Sequence, residues 1–340
     1  MNDRPAAERT EAGHRIDAYL ASRAHAPRPE RVVPLAGDAS DRRYFRVLTE
    51  GADSIILALH PGPITFATMP FGSVSELLRS MKIPTPAVLG HSDALGIIAL
   101  EDLGDVTLQS HVGTSAVTEY AALYREAVAL IQQLQERGRA FASPRFVPFG
   151  LRFDVEKLTF ELDFFTTHFL EGYRRVSLSP AERSALATEW AAIAGELAVE
   201  PQVLCHRDYH SRNLMLHEGR LYMIDFQDAR LGPDTYDLAS LLRDSYVDLT
   251  DRERDDLIEH FVVVSGISDR VEFRRRFDVM ALQRNLKALG TFGFQASARG
   301  NAGYVQYMAR TLGGVRANIE KHARFGPLRG LLGRHLEELR

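Results

Sequence analysis

An aspartate, an asparagine five positions on and a second aspartate twelve positions after that, namely Asp208, Asn213 and Asp225, constrain this chain more than any other feature. They stand in Cys205-His206-Arg207-Asp208-Tyr209-His210-Ser211-Arg212-Asn213 and in Ile224-Asp225-Phe226. Between them, Leu214-Met215-Leu216-His217, Glu218-Gly219 and Arg220-Leu221-Tyr222-Met223-Ile224 read as two short strands joined by a tight glycine-containing turn. Such a hairpin returns the chain to its own start, so Asn213 and Asp225 are expected at the same end. Amide and carboxylate oxygens brought together suit Mg²⁺, a hard cation.

This order of residues is the one by which kinase-type sites place one base and two metal ligands, so the first expectation is ATP-dependent phosphorylation of a hydroxyl. A transferring phosphoryl group carries dense negative charge, and its transfer is mostly positioning and charge stabilisation. Asp225 would bridge Mg²⁺ to the phosphates of ATP, and Asn213 would supply a second oxygen. Asp208 would orient the acceptor hydroxyl and take its proton, a service worth roughly 10²–10⁴ in rate. His206 and Arg207 are expected to brace the loop. His206 and His210 stand four apart, but no His-Glu-x-x-His pattern is present and their surroundings read as loop, which argues against zinc. A lone Asp is commonly a surface charge or a cap; three polar residues in this order and spacing are not explained that way.

At these residues the chain resembles the aminoglycoside phosphotransferase family, small-molecule kinases with a protein-kinase-like two-lobed fold and a His-x-Asp-x-x-x-x-Asn loop followed by an Asp. Here these are His206, Asp208, Asn213 and Asp225. The likeness extends to a bacterial subgroup, the anomeric N-acetylmuramate and N-acetylglucosamine kinases of cell-wall recycling. It rests on Gly37-Asp38-Ala39-Ser40-Asp41-Arg42-Arg43-Tyr44-Phe45-Arg46, on Ile224-Asp225-Phe226-Gln227-Asp228, on Asp237-Leu238-Ala239-Ser240-Leu241-Leu242-Arg243-Asp244, and on Gln283-Arg284-Asn285-Leu286-Lys287-Ala288-Leu289-Gly290. It therefore runs from about Gly37 to Gly290.

The resemblance implies an α+β fold in two lobes: residues 1–103, β-rich and ending in a hinge, and residues 104–340, helix-rich and carrying the loop, Asp225 and the acceptor site. In the first lobe, Ser40 in the Gly37 loop, with Arg42, Arg43 or Arg46 adding charge, would meet nucleotide phosphates. Taken alone, this segment reads equally as a hairpin turn with solvated arginines. Kinase-like folds carry a lysine on the following strand; Ser54–His60 has none, and Arg43 or Arg46, with His60 behind them, is the expected substitute. A guanidinium is not a like-for-like exchange for an ammonium. Leu95–Leu100 reads as a buried strand, and by resemblance Glu101 to Leu103 form the hinge whose backbone meets adenine.

In the second half, Leu158, Leu162, Phe165 and Phe169 recur at helical spacing and are expected in the core. Asp154, Glu156 and Glu161 lie off that stripe, facing water or lining an acceptor cleft. Asp237 would cap the helix that restarts at Leu238 and brace the loop, as an equivalent Asp does in relatives. Arg284 and Lys287 would sit near the acceptor and meet an anionic group such as a lactyl carboxylate; a solvated helix face accounts for them as well. Arg212 joins Glu161 as a further acceptor candidate.

At 340 residues, two lobes are expected on size alone. A net charge of −4 offers no global basic field, which argues against a nucleic-acid partner. The single Cys205 forms no internal disulfide, Met1–Thr10 lacks the apolar core of a secretory signal, and no apolar run is long enough to span a bilayer. The expectation is a cytoplasmic enzyme with ATP, Mg²⁺ and a small amino-sugar substrate, and no membrane or obligate protein partner. Aminoglycoside, choline or amino-alcohol kinases are the rivals within the class. Outside it stands a nucleotide-binding pseudokinase, motivated by the absent lysine.

Overall fold

A computed structural model describes residues 6–23, 29–35, 42–114 and 117–340. Strands β1 (Pro29–Pro34), β2 (Arg43–Thr49), β3 (Ala52–Leu59), β4 (Val88–Ser92) and β5 (Ile97–Glu101) form an antiparallel sheet in the order β1-β2-β3-β5-β4. Alternation along the strands decides its two faces. Phe45, Val47, Leu57, Leu59, Ile97 and Ala99 pack under helix α1 (Ala6–Ser22) through Ala12, Ile16 and Tyr19. Tyr44, Ile56, Ala58, Ile98 and Leu100 face the other way, into a core shared with Val74, Leu77 and Leu78 of α2 (Pro70–Ser80) and with the helical lobe.

The helical lobe holds α3 (Leu108–Val112), α4 (Val117–Ala140), α5 (Val155–Phe164), α6 (Pro180–Ala198), α7 (Tyr236–Leu242), α8 (Asp251–Val264), α9 (Arg270–Ser297), α10 (Met308–Lys321) and α11 (Gly326–Leu332). Ser179 and Thr250 close capping boxes at the starts of α6 and α8. Leu158, Leu162, Phe165 and Phe169 are fully enclosed, as their spacing predicts, although from Phe165 to Tyr173 the helix widens to the π form. This segment lies directly on α9. A Cβ on Gly290 would come 2.8 Å from the Phe165 backbone nitrogen, and one on Gly293 would strike the His168 carbonyl, so glycine is what permits the contact.

Two short ribbons carry the loop of interest. β6 (Gln202–Cys205) pairs with β9 (Arg230–Pro233), and β7 (Leu214–His217) pairs with β8 (Arg220–Met223). Glu218 at φ +49° and Gly219 at φ +76° are both left-handed, the two-residue turn that suits the twist of a hairpin. The Ile224 N–H donates to the Asn213 carbonyl at 3.0 Å, and Asn213 and Asp225 therefore flank the same end, as the sequence predicts. No helix among the described residues is long and apolar enough to cross a membrane.

Candidate active site

The loop after β6 is held by backbone donors meeting buried carboxylates. Asp237 accepts the His206 N–H at 2.7 Å through Oδ2 and the Arg207 N–H at 3.0 Å through Oδ1. It stands in the first turn of α7, whose N-cap position is Thr235, so the expectation that Asp237 also caps this helix is corrected: both its oxygens serve the loop. Further along, Asp244 accepts the N–H and the hydroxyl of Ser211. His206 is buried with Nε2 3.0 Å from the Ile224 carbonyl, tying the loop to the strand end that carries Asp225. Two non-glycine residues adopt left-handed backbone here, Arg207 at φ +85° and Asp225 at φ +62°. Such strain persists where surrounding bonds over-determine it, commonly at functional sites.

These bonds present Asp208 to a cluster of cations. Lys287 Nζ lies 3.0 Å from Asp208 Oδ1, with Arg284 and Arg207 each at 3.9 Å. Burial works to raise the Asp208 carboxyl, but Lys287, Arg207 and Arg284 outweigh it and hold the group well below the ordinary carboxylate range. Lys287 is itself pulled below its ordinary value by burial, against the attraction of Asp208, because it shares that one anion with two arginines. Arg284 is further fixed by the Tyr236 hydroxyl at 2.7 Å and Ser240 Oγ at 2.8 Å, and Arg207 by Asp228 at 2.8 Å. Arg284 and Lys287, expected near the acceptor, both border the cavity at Asp208 and are engaged with that carboxylate.

A cavity of about 130 Å³ opens on Asp208, bordered by His210, Arg243, Tyr246, Arg284 and Lys287 among others. Arg212 and Glu161, expected as acceptor contacts, do not border it. Arg212 donates to Gln109 at 2.8 Å and to the Tyr307 hydroxyl at 2.7 Å, with its guanidinium 3.7 Å from the centre of the Tyr246 ring; it steadies Tyr246 from outside the cavity. Glu161 is buried and accepts from Gln283 at 2.9 Å, so it does not face water. A larger cavity of about 590 Å³, between α2 and Tyr222, touches none of Asp208, Asn213 and Asp225, so volume alone does not mark the site.

Asn213 donates through Nδ2 to the Asp208 carbonyl at 2.9 Å, and Asp225 accepts from Gln227 at 2.8 Å with its carboxylate half exposed. Both are hard oxygen donors on adjoining turns. Among the described residues no three His, Cys, Asp or Glu side chains converge on a cation position. An ion bound through one or two protein ligands and substrate phosphates, the usual habit of Mg²⁺, needs no such cluster.

On the sheet side, Ser40 lies outside the described residues. Arg43 shares the α1 face of β2 with Phe45, its guanidinium 5.2 Å from that ring, and is therefore turned from Asp225. Arg46 is on the opposite face but is held by the segment that follows β5: Asp102 at 2.6 Å and Asp105 at 2.9 Å pair with it, and Ser54 donates to Asp102 at 2.6 Å. The expectation that Arg43 or Arg46 replaces the missing lysine is corrected on both counts. Arg42, one residue earlier, is the arginine that approaches Asp225, at 3.7 Å. In the segment expected to form the hinge, the Glu101 carboxylate accepts the Ala87 N–H at 3.0 Å and the Leu103 carbonyl lies 3.2 Å from His217 Nδ1. Sequence reasoning also passed over Ser240 and Asp244; with Asp237 they recur at helical spacing, a polar face within a run of leucines that could have marked them as buried partners.

An ionised carboxylate open to a cavity, beside an asparagine and an aspartate on adjoining turns and between a five-stranded sheet and a helical lobe, defines a two-lobed kinase-type phosphotransferase. The chain belongs to the phosphotransferase enzyme family, whose model matches residues 31–272. It is 31% identical over 316 residues to an N-acetylmuramate/N-acetylglucosamine kinase of Neisseria meningitidis, covering 89% of this chain and 91% of that one. It is 30% identical over 274 residues to an enzyme of the same name from Pseudomonas aeruginosa, covering 78% and 76%. In fold it is similar to a choline/ethanolamine kinase family protein from Mesorhizobium loti, with a TM-score of 0.60, 17% identity and coverage of 96% and 99%. It is likewise similar to an ADP-bound aminoglycoside phosphotransferase, with a TM-score of 0.58, 14% identity and coverage of 88% and 96%.

Proposed function

We propose that this protein transfers the γ-phosphate of ATP to the anomeric hydroxyl of N-acetylmuramate and N-acetylglucosamine, giving the sugar 1-phosphates. The observation that carries the reading is Asp208, a carboxylate held ionised and open to a cavity. The names of the relatives supply the acceptor. The cavity's charge agrees: Arg243, Arg284 and Lys287 border it against Asp208 and Asp244, a setting for a neutral or anionic acceptor and a poor one for a cationic aminoglycoside or choline.

In this reading residues 1–103 hold the nucleotide and residues 104–340 present the base and the acceptor. Asp208 receives the hydrogen bond of the anomeric hydroxyl, aligns its oxygen for attack and takes its proton as the bond to the γ-phosphorus forms and the bond from that phosphorus to the β–γ bridging oxygen breaks, releasing ADP. Lys287 and Arg284 keep that carboxylate ionised until the proton moves. Asn213 and Asp225 would hold Mg²⁺, which when bound neutralises charge on the phosphates. Arg42 adds a fixed cation beside Asp225.

Transfer of label from [γ-³²P]ATP with Mg²⁺ to N-acetylmuramate, N-acetylglucosamine, kanamycin and choline tests the proposal, with Asp208→Asn as control. The expected product is an acid-labile sugar phosphate, and the variant should lose at least ~10²-fold in kcat. Label confined to a cationic acceptor would reject the acceptor. Undiminished turnover by Asp208→Asn would reject the mechanism.

A further inference from the structure

Most buried or half-buried cations around the acceptor cavity have an anion. Lys287 and Arg284 have Asp208, Arg207 has Asp228, and Arg276 behind them has Asp234. Arg243 does not. This residue follows the last turn of α7 and borders the cavity that opens on Asp208. Its Nη2 donates to the neutral Asn318 Oδ1 at 3.1 Å, and its Nε is enclosed without an acceptor. The acids nearest to it are spoken for: Asp244 takes Ser211 and the Tyr246 N–H, Asp251 pairs with Arg254, and Asp278 with Lys321 and His322. Burial, with the charge of Arg254 added, pushes the guanidinium down to about 10.

A cation left in low dielectric without a counter-charge is destabilising, and a ligand that brings the counter-charge relieves the cost. The surroundings say where that ligand comes from. Arg243, Asp244 and Ser245 border both the cavity at Asp208 and a neighbouring one of about 280 Å³ whose lining also holds Asp248, Asp251, Arg254, Arg310 and Thr311. The cavity at Asp208, about 130 Å³, is small for a whole N-acetylated sugar, and the adjoining space is where a substituent of that sugar extends. N-acetylmuramate differs from N-acetylglucosamine by one substituent, a lactyl ether ending in a carboxylate. A guanidinium fork matches a carboxylate bidentately.

We propose that Arg243 receives the lactyl carboxylate of N-acetylmuramate and is the residue by which this enzyme favours the acid sugar over N-acetylglucosamine. The assignment rests on the amino-sugar acceptor proposed above. It differs from the expectation that Arg284 and Lys287 meet this group, because both are committed to Asp208.

The test compares kcat/KM of the native enzyme and of Arg243→Met on N-acetylmuramate, on its lactyl carboxamide and on N-acetylglucosamine. The native enzyme should prefer the acid to its amide by about 10- to 100-fold, mainly in KM, as expected for a charge-assisted hydrogen-bonded pair. In Arg243→Met that preference should collapse toward unity. Arg243→Lys keeps the charge without the fork, should retain part of the preference, and serves if the Met variant fails to fold, which thermal melting will show. Equal native rates on acid and amide would overturn the assignment. So would variants that lose activity on all three acceptors in proportion. No transfer by the native enzyme to any of the three would instead reject the amino-sugar acceptor itself, before any variant is considered.

Discussion

Lys287 Nζ and Asp208 Oδ1, 3.0 Å apart in space and 79 residues apart in sequence, join the loop after β6 to the middle of α9. The contact sets the charge state of the candidate base. It also depends on how closely α9 can lie against the π-helical segment, which Gly290 and Gly293 allow.

Replacing Lys287 by Met should therefore change a pH profile as well as a rate. In the native protein Asp208 is held well below the ordinary carboxylate range, so it stays ionised throughout the neutral and mildly acidic region. Without Lys287, burial is opposed by the more distant arginines and His210, and its pKa rises. The acidic limb of kcat/KM should move to higher pH in Lys287→Met, together with a lower plateau. A lower plateau with an unmoved limb would mean that Lys287 only supports the fold.

We propose that Arg42 is the arginine that serves the nucleotide. It lies 3.7 Å from Asp225 and is largely enclosed, whereas Arg43 points to the α1 side. Arg42→Ala should raise KM for ATP about 10-fold, the worth of one charge-assisted contact to phosphate, and Arg43→Ala should raise it less than about 2-fold. Steady-state kinetics at saturating acceptor would decide; equal effects would return both arginines to the role of solvated strand residues.

Asp237 has no exposed surface and both its oxygens accept backbone N–H groups. Asparagine offers one acceptor and turns an NH₂ toward the second donor. Asp237→Asn should cost about 1–3 kcal/mol in urea unfolding and reduce kcat at least about 10-fold, because the loop that aims Asp208 loses an anchor. A stability loss with normal kcat would confine Asp237 to folding.

What was legible in the sequence follows from what is local. Asp208, Asn213 and Asp225 sit on one loop and one hairpin, so spacing and turn chemistry were enough to bring them together. The stripe from Leu158 to Phe169 was legible because burial of a helix face is periodic. Arg42 and Arg43 were not separable, since a one-residue difference in strand register exchanges the two faces of a sheet. Arg46 looked free because its partners, Asp102 and Asp105, lie more than fifty residues away. Glu161 looked exposed for the same reason: Gln283, which accounts for its burial, stands 122 positions on.

Glu200 gives a stability that depends on pH in the direction opposite to most carboxylates. Its side chain is almost fully buried behind β9, accepting from Thr235 at 3.0 Å with Arg276 at 3.5 Å, and its other oxygen is enclosed without a partner. Burial raises its pKa from 4.5 to about 8, with Arg276 and Thr235 opposing only in part. Between those two values the native state keeps a proton that the unfolded chain has released, so stability is full below about pH 4.5 and declines as pH rises toward 8. Glutamine mimics the neutral acid and keeps the acceptor for Thr235. Glu200→Gln should match the native protein within about 1 kcal/mol near pH 5 and exceed it by a few kcal/mol at pH 9, flattening the slope between. Urea unfolding across that range measures it directly, and parallel slopes would show that Arg276 keeps Glu200 ionised in the folded protein.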